Sequence, residues 1–265
     1  MLLNNKNAII YGGGGAVGGA IARAFAAEGA NVFLAGRTLA KLQIVAEEIK
    51  AAGGRAEINR VDALDEDATL AHVDDIVRRM GTVDIVLNAI GIVHVQDKGF
   101  LDMTLEQFEL PVSVYTKSTF ITSKAAARHM KRQQSGVILT LTTPASRMPG
   151  PGFIGHSVAC AGVEAIARNL AGELAQDNIR VVTLRSHAIP ESTNSASSSR
   201  EIFQTNAKSS GITLDEMLAG AAGGTLLKRL PTLEQVAETA VFMSSDKAGA
   251  ITGNVINISC GFLVD

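Results

Sequence analysis

Six of the eight residues in Gly12-Gly13-Gly14-Gly15-Ala16-Val17-Gly18-Gly19 are glycine. Glycine serves where a backbone must turn sharply and approach a ligand closely, and the small residues that follow open a helix. The first N–H groups of a helix lack internal partners and carry the positive end of its dipole. Such a loop suits the pyrophosphate of a dinucleotide. A G-x-G-x-x-G string runs through Gly13, Gly15 and Gly18, and the surplus of glycine leaves its register open. Within the expected spacing of about 20 residues, Ala35-Gly36-Arg37-Thr38 closes a second apolar segment. A site reading a free ribose 2′-hydroxyl has an acidic residue there. Arg37 instead offers charge-assisted bonds to a 2′-phosphate. The expectation is NADP(H) in preference to NAD(H).

Alternating segments supply the scaffold. Asn7–Tyr11 reads as the strand before the glycines, residues 16–28 as a helix and residues 31–35 as the second strand. Leu42, Val45, Ala46 and Ile49 form the apolar face of a helix that starts at Leu39 and stops at Gly53-Gly54. Residues 56–61 and 83–87 read as strands around a helix over 65–80. Thr104-Leu105-Glu106-Gln107 is a capping box opening a long helical region. Strands at 137–141 and 181–184 flank a helix over 157–176, Thr232-Leu233-Glu234-Gln235 caps a late helix, and Val255–Ile258 is the final strand. Continuous apolar strands between amphipathic helices imply an α/β fold. The expected architecture is a single doubly wound Rossmann domain over residues 1–265, with a parallel sheet of about seven strands and helices on both faces. The serine-rich stretch 192–199 reads as the start of a substrate lid within 190–225.

Composition removes other classes. The chain has 265 residues, 46% of them hydrophobic, and its 24 basic and 26 acidic side chains leave a net charge of −2. A disordered chain would be less apolar, and a nucleic-acid binder would carry a basic excess. Cys160 and Cys260 are too few for a disulfide framework, and no His/Cys/Asp cluster has metal spacing, so no metal is expected. No uncharged apolar run reaches ~18 residues, and the first residues lack a signal-peptide pattern. A cytoplasmic protein with a small-molecule substrate, and with neither nucleic acid nor membrane as partner, is the expectation.

The motifs resemble those of the short-chain dehydrogenases/reductases along nearly the whole chain. The family's T-G-x-x-x-G-x-G falls on Tyr11-Gly12-x-x-x-Ala16-x-Gly18, with two positions changed. Val61-Asp62-Ala63 resembles the segment that contacts adenine, and Leu87-Asn88-Ala89-Ile90-Gly91 resembles the N-N-A-G after the fourth strand. Arg229-Leu230, Ile251-Thr252-Gly253 and Gly261-Phe262 are close to the family ending. The resemblance implies cofactor contacts from Gly12, Gly14, Gly15, Ala16, Val17, Gly18, Arg37, Asp62, Ala63, Asn88, Ala89, Gly91 and Ile189. It also implies a homotetramer or homodimer.

Such enzymes commonly use Asn, Ser, Tyr and Lys, and this chain departs at each. Tyr115 stands at the Asn position, Thr143 at the Ser, His156 at the Tyr and Cys160 at the Lys. Ser186-His187 replaces the usual Pro-Gly, and His187 and Arg147 flank the expected substrate segments. An imidazole titrating near ~6.5 exchanges protons near neutrality without the cation a phenol needs. His156 is thus expected to donate the proton, with Thr143 polarising the substrate and Tyr115 supporting. The expected activity is NADPH-dependent reduction of a C=O or C=N bond. The alternative is a protein of the same fold that binds nucleotide without redox turnover, as a regulatory or scaffold subunit or in a non-redox step.

Overall fold

The computed structural model describes residues 1–194 and 197–264. The chain alternates β1 (Asn7–Tyr11), α1 (Ala16–Ala27), β2 (Asn31–Gly36), α2 (Leu39–Ala51), β3 (Arg55–Arg60), α3 (Glu66–Met80) and β4 (Ile85–Asn88). It continues through α4 (Leu105–Gln133), β5 (Gly136–Thr142), α5 (Ile154–Leu174) and β6 (Ile179–Ser186). Then come α6 (Ser198–Ser209), α7 (Leu214–Gly223), α8 (Leu233–Ser244) and β7 (Val255–Ile258). The strands form one parallel sheet in the order β3-β2-β1-β4-β5-β6-β7. The doubly wound expectation holds.

Each central strand sends successive side chains to opposite faces, which makes two cores. Ile10, Leu34, Leu87 and Leu139 pack with Phe25 of α1, Leu42 of α2 and Val236 of α8. Their sequence neighbours Ile9, Phe33, Val86 and Ile138 pack with Ile76 of α3, Met130 of α4 and Ala167 of α5. The order reverses between β1 and β4, so a crevice opens beyond their carboxyl ends.

Several boundaries differ from the sequence expectation. The fourth strand starts at Ile85 because the Val83 amide donates to Gln133 Oε1 at 3.0 Å rather than to a neighbouring strand. The helix expected over 157–176 begins at Ile154, which places His156 in its first turn. Its N-cap is Phe153, with no side-chain cap, so the sequence carries no start signal there. The serine-rich stretch is a 3₁₀ turn over Pro190–Thr193 and the first turn of α6. Ser195 and Ala196 of that stretch lie outside the described residues. Among the described residues, no helix is long and apolar enough to cross a membrane.

Candidate active site

A cavity of about 1130 Å³ runs along the carboxyl edge of the sheet, and every residue expected to contact a cofactor lines it. At one end is the turn between β1 and α1. Gly12 has φ +82°, and a Cβ on it would come within 2.4 Å of the Ala89 carbonyl oxygen. A Cβ on Gly18 would come within 2.4 Å of the Gly12 carbonyl oxygen. These glycines let α1 start directly beneath the sheet edge. Gly15 caps α1 without a side-chain bond, and the first turn holds no acid, while Gly14, Gly15 and Val17 line the cavity. A cradle too narrow for side chains, with uncapped helical amides open to it, fits a pyrophosphate. Arg37 and Lys41 line the next stretch, and Asp62 and Ala63 face them from beyond β3. Asn88 lines the cavity too, but its amide is committed to the protein. Its nitrogen is 3.2 Å from Ser118 Oγ, and its oxygen accepts from the Ile90 amide at 3.2 Å.

The four residues at the altered family positions converge. Thr143 follows β5, and its Oγ1 accepts from the Ala145 amide at 3.3 Å, which fixes the side chain. His156 Nε2 is 3.0 Å from that oxygen. Cys160, one turn along α5, holds Sγ 3.6 Å from Thr143 Oγ1 and 3.7 Å from His156 Nε2. Tyr115 of α4 meets His156 edge-on at 6.2 Å between ring centroids.

Two further residues complete the cluster, and sequence reasoning missed both. His94 and Gln96 lie in the segment between β4 and α4 and are nearly buried. His94 Nε2 is 3.1 Å from His156 Nδ1 and 2.8 Å from Gln96 Nε2. The available signal was their place in the loop after the fourth strand, at the ligand edge of a doubly wound sheet. Lys41 was missed as well, because the apolar face of α2 drew the reading instead.

Burial alters the acid–base character expected of these groups. The His156 imidazole is pushed down to about 3 by burial, with the facing His94 adding to the effect. The premise that it titrates near neutrality is therefore corrected: in this pocket it is neutral at pH 7. Burial likewise lowers His94, against the pull of the Ile92 carbonyl. It raises the phenol of Tyr115 and the thiol of Cys160 above their ordinary values. Cys160 therefore supplies no charge where the family's lysine would stand.

The other end of the cavity is walled by Leu110, Val114, Met148, Phe153, Phe203, Met217 and Phe262, and the buried Ile189 also lines it. Ser198, Ile202 and Asn206 of α6 line it, so the region expected to hold a lid does border the cavity. His187 lies against Phe262 at 4.5 Å between ring centroids. Arg147 is exposed and is not among the lining residues. The only charged lining residues among those described are Arg37, Lys41 and Asp62, all at the glycine end. No group of three or more His, Cys, Asp or Glu among the described residues could hold a metal ion.

The family profile described as enoyl-(acyl carrier protein) reductase matches residues 14–263. A 3alpha-hydroxysteroid dehydrogenase of Mediterraneibacter gnavus is 28% identical over 268 residues, covering 97% of each chain. A 7alpha-hydroxysteroid dehydrogenase of Escherichia coli is 30% identical over 259 residues, covering 98% of this chain and 94% of the relative. The solved structure of a short-chain type dehydrogenase/reductase from Mycobacterium ulcerans superposes with a TM-score of 0.86 at 25% identity, covering 99% of this chain and 91% of that one.

Proposed function

The chain belongs to the short-chain dehydrogenase/reductase superfamily, and from that premise we propose that it uses NADPH to reduce a C=O or C=N bond of an uncharged small molecule. The observation that carries this reading is the 3.0 Å contact between Thr143 Oγ1 and His156 Nε2. It lies in the same cavity as the glycine cradle. Bound there, the reduced dinucleotide supplies a hydride to an electrophilic carbon.

The Thr143 hydroxyl then binds the substrate heteroatom, and His156 behind it relays the proton that the heteroatom gains. A neutral imidazole carries one hydrogen, so this relay toward Thr143 needs that hydrogen on Nε2 or a second proton taken up by the histidine pair. A protonated imine needs no donor in that step, and no ammonium at position 160 repels it. Arg37 and Lys41, beside the cradle, support preference for the 2′-phosphate. The uncharged apolar end favours a neutral, bulky substrate. A hydroxysteroid, the class in the names of two relatives, is of that kind.

The test has two readings. Enhanced and blue-shifted NADPH fluorescence reports binding, and loss of nicotinamide absorbance with ketones, cyclic imines and enones reports turnover. Full activity in His156→Phe would remove the proton role. Binding without oxidation across the panel would favour the non-redox alternative, and no binding of either dinucleotide would sink both.

A further inference from the structure

His94 is engaged through both ring nitrogens, and its partners fix where its hydrogen lies. Nδ1 is 2.9 Å from the Ile92 carbonyl oxygen, which can only accept, so Nδ1 carries the hydrogen. In a neutral ring, Nε2 is then a bare lone pair. Two donors meet it: Gln96 Nε2 at 2.8 Å and His156 Nδ1 at 3.1 Å. The Gln96 amide is oriented in the same sense, its Oε1 accepting from Asn206 Nδ2 at 3.5 Å. His156 therefore keeps its hydrogen on Nδ1 and turns a lone pair on Nε2 toward Thr143 Oγ1. The two imidazoles lie with centroids 4.9 Å apart and planes inclined by 30°.

We propose that His94 is a positioning residue that locks the tautomer of His156 and thereby points the Thr143 hydroxyl hydrogen at His156, leaving the Thr143 oxygen to face the substrate as a proton acceptor. The logic is that of a hydroxyl, an imidazole and an orienting third group, with a second neutral imidazole as the orienter. The inference rests on the redox reading above and refines its direction.

In this resting arrangement an alcohol O–H donates to Thr143 Oγ1, the threonine hydrogen passes to His156 Nε2, and the His156 Nδ1 hydrogen passes to His94 Nε2, from which the proton returns to solvent. The alcohol oxygen becomes a carbonyl oxygen, and its carbon gives up hydride to an oxidised nicotinamide. Reduction needs the chain reversed, and one proton from solvent does that. With both His94 nitrogens protonated, Nε2–H donates to His156 Nδ1, His156 Nε2–H donates to Thr143, and Thr143 donates to the substrate. The groups facing the rings are Gln96 from the loop after β4, Tyr115 from α4, Thr143 after β5, Cys160 from α5 and Asn206 from α6. Glu164 and Arg185, which act on Cys160, are bonded to each other. Burial opposes charge on either ring, so the accepting arrangement is the one held at neutral pH.

Nitrogen-15 NMR of histidine-labelled protein, free and with NADP⁺, reads the tautomer without turnover. His156 is expected as the Nδ1–H form in the wild type and in His94→Asn, whose side-chain oxygen can still accept. His94→Leu is expected to shift it toward Nε2–H, with an unchanged far-ultraviolet circular dichroism spectrum as the check on folding. Kinetically, His94→Leu should lower kcat for alcohol oxidation at least tenfold with little change in KM, and His94→Asn should retain oxidation but lose the acid-side rise in reduction. An Nε2–H His156 in the wild type, or an unchanged tautomer in His94→Leu, overturns the proposal. A locked tautomer with no turnover of any alcohol or carbonyl overturns the redox reading and leaves the lock standing.

Discussion

Arg185 of β6 grips Glu164 of α5 at two points, Nε to Oε1 at 2.9 Å and Nη2 to Oε2 at 2.8 Å, one helical turn beyond Cys160. Thr142, at the end of β5, donates to the same Oε1 at 3.0 Å. The pair therefore ties β5, β6 and α5 together at the level of the candidate catalytic cluster. Burial pushes the Glu164 carboxyl up, but Arg185, Ser146 and Thr142 together hold it below its usual value.

Breaking this pair leaves a buried charge uncompensated. Glu164→Ala is expected to destabilise the fold by about 3–5 kcal/mol in urea titration. The double variant Glu164→Leu with Arg185→Met should recover most of that loss, since neither charge is then stranded. Equal loss in single and double variants would show that packing, not charge, decides the cost.

Stability should fall in mild acid because three of the five histidines are buried as neutral rings and a fourth, His187, is partly buried. Burial lowers His72 to about 4 and His156 to about 3, and lowers His94 and His187 as well. The unfolded chain takes up these protons below its ordinary histidine value near ~6.5, while the folded chain does not until lower pH. The contribution of His72 and His156 is complete above that value and is lost progressively toward pH 3–4. At pH 5, His72 and His156 should each account for about 2 kcal/mol of lost stability. Urea midpoints at pH 7 and pH 5 test this, and His72→Gln should reduce the difference by about 2 kcal/mol.

Arg37 is expected to govern dinucleotide choice. Arg37→Asp removes a cation from the 2′-phosphate position and offers a carboxylate to a free 2′-hydroxyl. NADPH affinity should drop roughly 10- to 100-fold, as expected for a charge-assisted bond, while NADH affinity rises. Fluorescence titration with both dinucleotides measures it, and an unchanged ratio would remove Arg37 from the site.

The cradle is expected to reject even a methyl group at Gly18. An added Cβ meets the Gly12 carbonyl oxygen at 2.4 Å and the Ala89 Cβ at 3.2 Å. Gly18→Ala should therefore cost about 1–3 kcal/mol and abolish dinucleotide binding. Gly91 is the internal control, since a Cβ there meets nothing within 4 Å. Gly91→Ala should leave the unfolding midpoint unchanged.

Much of this was legible in the sequence because it is local. The face formed by Leu42, Val45, Ala46 and Ile49 is buried in α2. The capping box at Thr104 and Gln107 starts α4. Helix α5 was misplaced by three residues at its start because Phe153 caps it without a side-chain signal. His94 and Gln96 escaped because they sit on a segment with neither helical nor strand periodicity, and their partner His156 is 62 residues from His94.

The sequence by itself determined the seven strands, the six helices that pack on them, the glycine turn and the cation after the second strand, since each follows from spacing within a few residues, but it did not mark α6 and α7. It also marked Tyr115, Thr143, His156 and Cys160 as replacements at family positions. Only the tertiary structure decided what those replacements can do. The loop after β4 returns across the first turn of α5, which sets His94 against His156. Desolvation by the several elements that close the pocket then makes the imidazole neutral. Tautomer and charge are set by contacts between distant segments, and a linear pattern contains neither.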